Sequence, residues 1–97
     1  MAELLSSAEI QKKLNEVNGW QLVDKTIKKQ FVFDSFMPAI RFVNRVAELA
    51  EAADHHPDIA INYRRVTMNL STHSAGGLTQ KDFALAEKID GTASEPR

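Results

Sequence analysis

The chain has 97 residues, 43% of them hydrophobic and 26% charged, which allows one buried core and excludes both a pair of independent domains and a disordered or fibrous polymer. Twelve basic residues against thirteen acidic ones leave a formal net charge of -1, so no global field would hold the chain on nucleic acid or on an anionic membrane. The absence of cysteine removes disulfides, thiolate nucleophiles and thiolate metal ligands, and it suits a reducing cytosol.

The opening MAELLSSAEI is too short and too polar for a signal peptide, and no apolar run approaches the roughly 20 residues that span a bilayer. A cytoplasmic protein is expected. Ser6 followed three positions later by Glu9 is a capping box, and Ile10, Leu14 and Val17 repeat at helical spacing, predicting a first helix from about Ser7 to Glu16 that ends near Gly19. Trp20 to Val23 and Ile27 to Phe33 are rich in β-formers, with Ile27, Phe31 and Phe33 on one parity and Asp24-Lys25 between the runs. They predict an antiparallel hairpin.

From Phe36 to Asp54 the apolar residues recur at i, i+3, i+4, with Phe36, Ile40, Val43 and Ala50 as the main stripe and Phe42 and Leu49 off it. This is the longest predicted helix. Asp34 or Ser35 can cap it, and Pro38 fits only in its first turn. Ile59, Ile61 and Tyr63, then Val66, Met68 and Leu70, alternate with polar or small residues, predicting a second hairpin whose turn signal, Arg64-Arg65, is weak. Gly76-Gly77 breaks the chain, and Thr79 caps a last helix with Leu78 and Phe83 as a hydrophobic staple. That helix is expected to end near Asp90-Gly91, leaving about 91–97 as a flexible tail of a single domain spanning 1–97. The fold class is α+β: a four-stranded antiparallel sheet with three helices packed on one face, in the order α-β-β-α-β-β-α.

All three histidines fall at one helix end and one loop: His55 and His56 before Pro57, and His73 in "STHSAGGLT". Glu51 lies four residues before His55, so a continuing helix would put the carboxylate one turn below that ring. Pro57 pushes His56 out of helical geometry, so the two rings diverge. If the second hairpin's last strand continues, His73 shares a polar face with Thr67, Asn69 and Ser71. Each residue also has an ordinary reading. A histidine at a helix C-terminus is commonly a dipole partner, Glu51 a solvated helix residue, and Asp82 the N3 carboxylate of the Thr79 capping box. A zinc site is disfavoured, because adjacent histidines are poorly placed to reach one ion and no HxH or HExxH pattern occurs.

Taken together, Glu51, His55-His56-Pro57, Tyr63, His73 and Asp82 resemble the signature of the pterin-4a-carbinolamine dehydratases, with "LSTH", "GLT", Gly19-Trp20, Phe33 and Phe42-Val43 extending the similarity over nearly the whole chain. Ile59 departs from the aromatic of some animal members, and Ser74-Ala-Gly-Gly from an acidic loop variant. The resemblance implies loss of water from 4a-hydroxytetrahydropterin to give quinonoid dihydropterin, which recycles the cofactor of aromatic amino acid hydroxylases. It implies no metal and no cofactor. His55, His56 and His73 would be the active-site histidines, with Glu51 as the carboxylate partner of His55. Asp54, Pro57, Ser71, Thr72 and Ser74 would join them in the pterin cradle, with Asp82, Trp20 and Tyr63 in support. Histidine near neutral pH can both protonate a departing hydroxyl and accept the N5 proton. The resemblance further implies a homodimer or homotetramer, no nucleic-acid or membrane partner, and a functional link to a hydroxylase. The alternative is a non-catalytic binding or assembly module on the same fold.

Overall fold

The computed structural model describes residues 3–94. Seven main elements follow the predicted order: α1 (Ser7–Leu14), β1 (Gln21–Val23), β2 (Thr26–Val32), α2 (Phe36–Ala53), β3 (Asp58–Asn62), β4 (Arg65–Leu70) and α3 (Gln80–Ala93), with a 3₁₀ turn at His73–Ala75. The strands form one antiparallel sheet in the order β1-β2-β4-β3. The fold is therefore α+β, as the periodicities require.

The Ser6–Glu9 capping box forms, each residue's backbone N–H donating to the other's side chain at 2.9 and 3.2 Å. These bonds, the Ser6 N–H foremost, hold the exposed Glu9 carboxyl below its ordinary range. The helix stops at Leu14, two residues early, because Val17 leaves the helical path to enter the core. Both hairpins turn on two residues. Asp24 and Tyr63 take the left-handed conformation there, at φ 53° and 54°, so the second turn falls at Tyr63-Arg64, one position before the Arg64-Arg65 pair. Arg64 fixes that end by accepting the Phe33 N–H and donating from Nη1 to the Phe33 carbonyl.

Register decides which residues the sheet buries. Ile27, Phe31, Val66, Met68 and Leu70 share the face beneath α2 and α3 and are nearly inaccessible, while Lys28, Gln30, Thr67 and Asn69 share the opposite face. The helices cover the apolar side. Trp20 is buried as well, and its Nε1 donates to both carboxylate oxygens of Asp90, which also pairs with Lys29 at 2.9 Å. α3 is thereby tied to the sheet through its last turns.

Two expectations about α2 change. Phe42, read as lying off the stripe, is fully buried between Phe31 and Phe33, with ring centroids 4.9 and 5.0 Å away, and Leu49 packs half-buried against the same core. Phe36, read as core, is 45% exposed. The buried face runs through Ala39, Phe42, Val46 and Ala50, because α2 must face the sheet and α3 together and its stripe is rotated accordingly. α3 also outruns its predicted end: Thr92 continues the buried row of Leu85, Ala86 and Ile89, which carries the helix past Gly91 to Ala93. The remainder of the expected flexible tail, 95–97, lies outside the described residues.

Phe42→Ala should therefore cost about 3–5 kcal/mol of unfolding free energy, while Phe36→Ala should stay within about 0.5 kcal/mol of the parent. Urea denaturation of the two variants checks the rotated stripe; equal costs would contradict it.

Candidate active site

The C-terminus of α2 and the loop after β4 meet at one end of the sheet. Asp54 ends α2 in the left-handed conformation at φ 50°, and the following His55 N–H reaches back to the Ala50 carbonyl at 3.1 Å. This reversal separates the two histidines before Pro57 acts. His55 turns inward to 9% exposure, whereas the His56 side chain stays 56% exposed.

The reversal also exchanges the expected partners. Because the helix ends at Ala53, the i, i+4 relation of Glu51 to His55 does not exist; Glu51 Oε2 instead meets His56 Nε2 at 2.5 Å, an exposed pair. His55 Nε2 meets Asp82 Oδ1 at 2.6 Å, inside the protein.

Asp82 is wholly buried at N3 of α3. Its Oδ2 accepts the Thr79 backbone N–H at 2.9 Å and the Thr72 hydroxyl at 2.8 Å. With that hydroxyl committed, the Thr79 hydroxyl donates to Thr72 Oγ1 at 2.8 Å and accepts from the Lys81 N–H. The carboxylate is an acceptor throughout, so His55 carries its proton on Nε2. No buried side-chain nitrogen or oxygen among the described residues lacks a partner, and His55 itself lines the cavity. Capping and orienting a histidine are one task of one carboxylate, not alternatives.

The second segment departs from its expected form. β4 stops at Leu70 because Thr72 pairs with Gly77, its N–H donating to the Gly77 carbonyl at 2.8 Å, and Gly76 closes the loop at φ 77°. His73 therefore sits in a 3₁₀ turn, not on the polar face of an extended strand. It still reaches the same place.

The cavity has a volume of about 490 Å³, within the usual range for a small-molecule site. All eight residues expected in a cradle line it: Asp54, His55, His56 and Pro57 from the first segment, and Ser71, Thr72, His73 and Ser74 from the second. Glu51 does not line it and is paired with His56, which does. Trp20 and Tyr63 do not line it; Trp20 is core, and Tyr63 is exposed at the hairpin tip, where its left-handed backbone sets the turn. Asp58 and Lys81 were not anticipated and do line it. Asp58 directly follows His55-His56-Pro57, and Lys81 sits inside the cap of α3. Among the described residues no group of three or more histidine or acidic side chains is placed to hold a metal ion, and no helix is long and apolar enough to cross a membrane.

Fold and site together define a small α+β protein that gathers imidazoles, hydroxyls and carboxylates around one cavity. The model of the family described as pterin 4 alpha carbinolamine dehydratase matches residues 3–92, and the chain belongs to that family. It is 56% identical over 90 residues, 93% of this chain and 98% of the other, to a protein of Picosynechococcus sp. provisionally named pterin-4-alpha-carbinolamine dehydratase. A protein of Roseiflexus sp. with the same provisional name is 57% identical over 90 residues, covering 93% and 97%. A crystal structure from Brucella melitensis, described as a transcriptional coactivator/pterin dehydratase, superposes with a TM-score of 0.90 at 37% identity, covering 93% of this chain and 98% of that one. A pterin dehydratase-like RuBisCO assembly factor of the alpha-carboxysome shares the fold alone, with a TM-score of 0.65 at 24% identity over 79% of this chain and 89% of that one.

Asp82→Ala should lower the unfolding free energy by about 3–5 kcal/mol, because it strands buried donors from His55, Thr72 and Thr79. Glu51→Ala, in an exposed pair, should cost less than about 1 kcal/mol. Guanidinium unfolding of both variants measures the contrast.

Proposed function

We propose that the protein is a 4a-hydroxytetrahydropterin dehydratase, working by histidine acid–base catalysis without a metal or cofactor. The observation that carries this reading is the buried His55–Asp82 pair on the wall of the cavity, in a chain whose family and named relatives support pterin dehydration. The reaction breaks the bond from C4a to its hydroxyl and removes the N5 proton, leaving a C4a=N5 double bond and one water.

Two proton carriers of opposite state are needed. His55 serves as the base. Asp82 fixes the Nε2–H tautomer, presents Nδ1 to the N5 proton and stabilises the imidazolium that forms. His56 serves as the acid. Glu51 holds its ring through Nε2, and exposure lets it regain a proton from water between turnovers. His73 faces the substrate from the second segment and holds the departing oxygen. Asp54, Ser71 and Ser74 complete the pterin cradle.

The competing reading is a binding or assembly module, the role in which the RuBisCO assembly factor is described. The likeness to that protein is one of fold, whereas the present chain brings three histidines to one cavity, with Asp82 behind His55. Association with further copies belongs to the proposal. Val32, Phe36, Met37, Ile61 and Tyr63 are between 43% and 60% exposed, apolar surface that a second copy would cover. Cytoplasmic placement and service to an aromatic amino acid hydroxylase complete it.

The decisive experiment is a direct assay of 4a-hydroxytetrahydropterin dehydration. His55→Ala, His56→Ala and His73→Ala should each slow the catalysed rate by roughly 10²-fold or more. Asp82→Asn should remain folded, since its amide can still accept from Thr79, yet lose a comparable factor because it reverses the His55 tautomer. A wild-type chain that binds pterin but does not accelerate dehydration would leave the binding module as the better reading. Variants as fast as an active parent would instead overturn the histidine assignments.

A further inference from the structure

Lys81 breaks a local rule. It occupies the second position of α3, after the Thr79 cap, where the positive end of the helix dipole disfavours a cation. The buried Asp82 beside it has its oxygens occupied by His55, Thr72 and Thr79, so Asp82 does not explain the choice. The Lys81 side chain is exposed, lines the cavity, and makes no hydrogen bond or ion pair with another described residue. An unfavourable charge retained without a protein partner, on the wall of a ligand site, marks a residue whose partner is the ligand.

We propose that Lys81 is a substrate-binding residue that donates to the C4 carbonyl oxygen of the pterin ring; the inference rests on the dehydratase reading. The histidines must meet C4a and N5, and the C4 carbonyl is bonded to C4a, so its oxygen lies on the same edge of the ring. A pterin turned with that edge to His55 and His73 brings O4 to the wall they share with Lys81. The Lys81 backbone is fixed by its bond to the Thr79 hydroxyl, which belongs to the network that holds His55. The same cap therefore anchors the backbone of Lys81 beside the network that holds His55. A cation on O4 draws electrons away from C4a and gives no help to a departing hydroxide. Its contribution is to binding and orientation, not to the chemical step.

The test uses the intact chain and two stable probes, 7,8-dihydrobiopterin and the corresponding 4-amino pterin, in which a donor replaces O4. Wild-type protein should bind the oxo compound, and Lys81→Met should weaken that binding about tenfold, the size of one charge-assisted hydrogen bond. Lys81→Arg should restore most of it, and the 4-amino compound should bind parent and Lys81→Met alike. In the dehydration assay Lys81→Met should raise KM while kcat stays within about twofold. Lys81→Glu should unfold at the same or a higher temperature, because it relieves the conflict with the dipole, while binding the oxo compound still more weakly. Equal affinity of Lys81→Met and parent for the oxo compound would overturn the inference, and so would an equal loss for both compounds. If wild-type protein binds neither compound, the dehydratase reading itself fails, an outcome separate from any effect of Lys81.

Discussion

The structure depends on one buried carboxylate. Asp82 is removed from water entirely, and its position is sustained by donors from three directions: the backbone at the start of α3, the hydroxyl after β4 and the imidazole after α2. An ionised carboxylate in such a place is tolerable only while those donors stay put. The requirement works in reverse as well. Thr72, Thr79 and His55 are held in register with one another because each answers to the same two oxygens, so the three chain segments that build the cavity cannot drift apart without stranding a charge.

This explains why the cavity sits at a meeting of loops and is nonetheless defined. The segment from Ser71 to Gly77 has no strand or long helix of its own, but Thr72 bonds Gly77 on one side and Asp82 on the other. The α2 terminus is fixed by the left-handed Asp54 and by the His55 N–H reaching Ala50. Sheet and helices supply the rigid frame through Phe42, Met68, Leu70 and Phe83, all essentially inaccessible. The polar network then sets positions that apolar packing, being non-directional, would leave loose.

The elements were legible in the sequence because their causes are local. Period-two alternation in Val66, Met68 and Leu70, the Ser6–Glu9 and Thr79–Asp82 boxes, and the spacing within α2 each state their own geometry. Most of the membership of the cavity was legible too, since the Asp54 to Pro57 and Ser71 to Ser74 phrases carried it, whereas Asp58 and Lys81 were not. The pairings were not. Whether Glu51 meets His55 or His56 depends on a single residue, Asp54, adopting the left-handed conformation, and Asp carries only a modest preference for it. Whether His73 continues a strand depends on Thr72 finding Gly77 and Asp82, and the second of those contacts spans two elements. Phe42 was misplaced for a similar reason: an apolar stripe wider than one face leaves its own rotation undetermined until the sheet and α3 are both in place.

The two adjacent histidines then show how one short phrase yields two chemical environments. Had α2 continued through His55, both rings would have sat at its exposed end in the field of the same dipole, with nothing to distinguish them. The turn at Asp54 places one nitrogen of His55 against a buried carboxylate while the residue still lines the cavity, and His56 remains in water beside Glu51. Burial fixes a tautomer, and exposure permits rapid exchange of a proton. A reaction that gives one proton and takes another needs both properties at once. The backbone conformation of a single aspartate is what separates them.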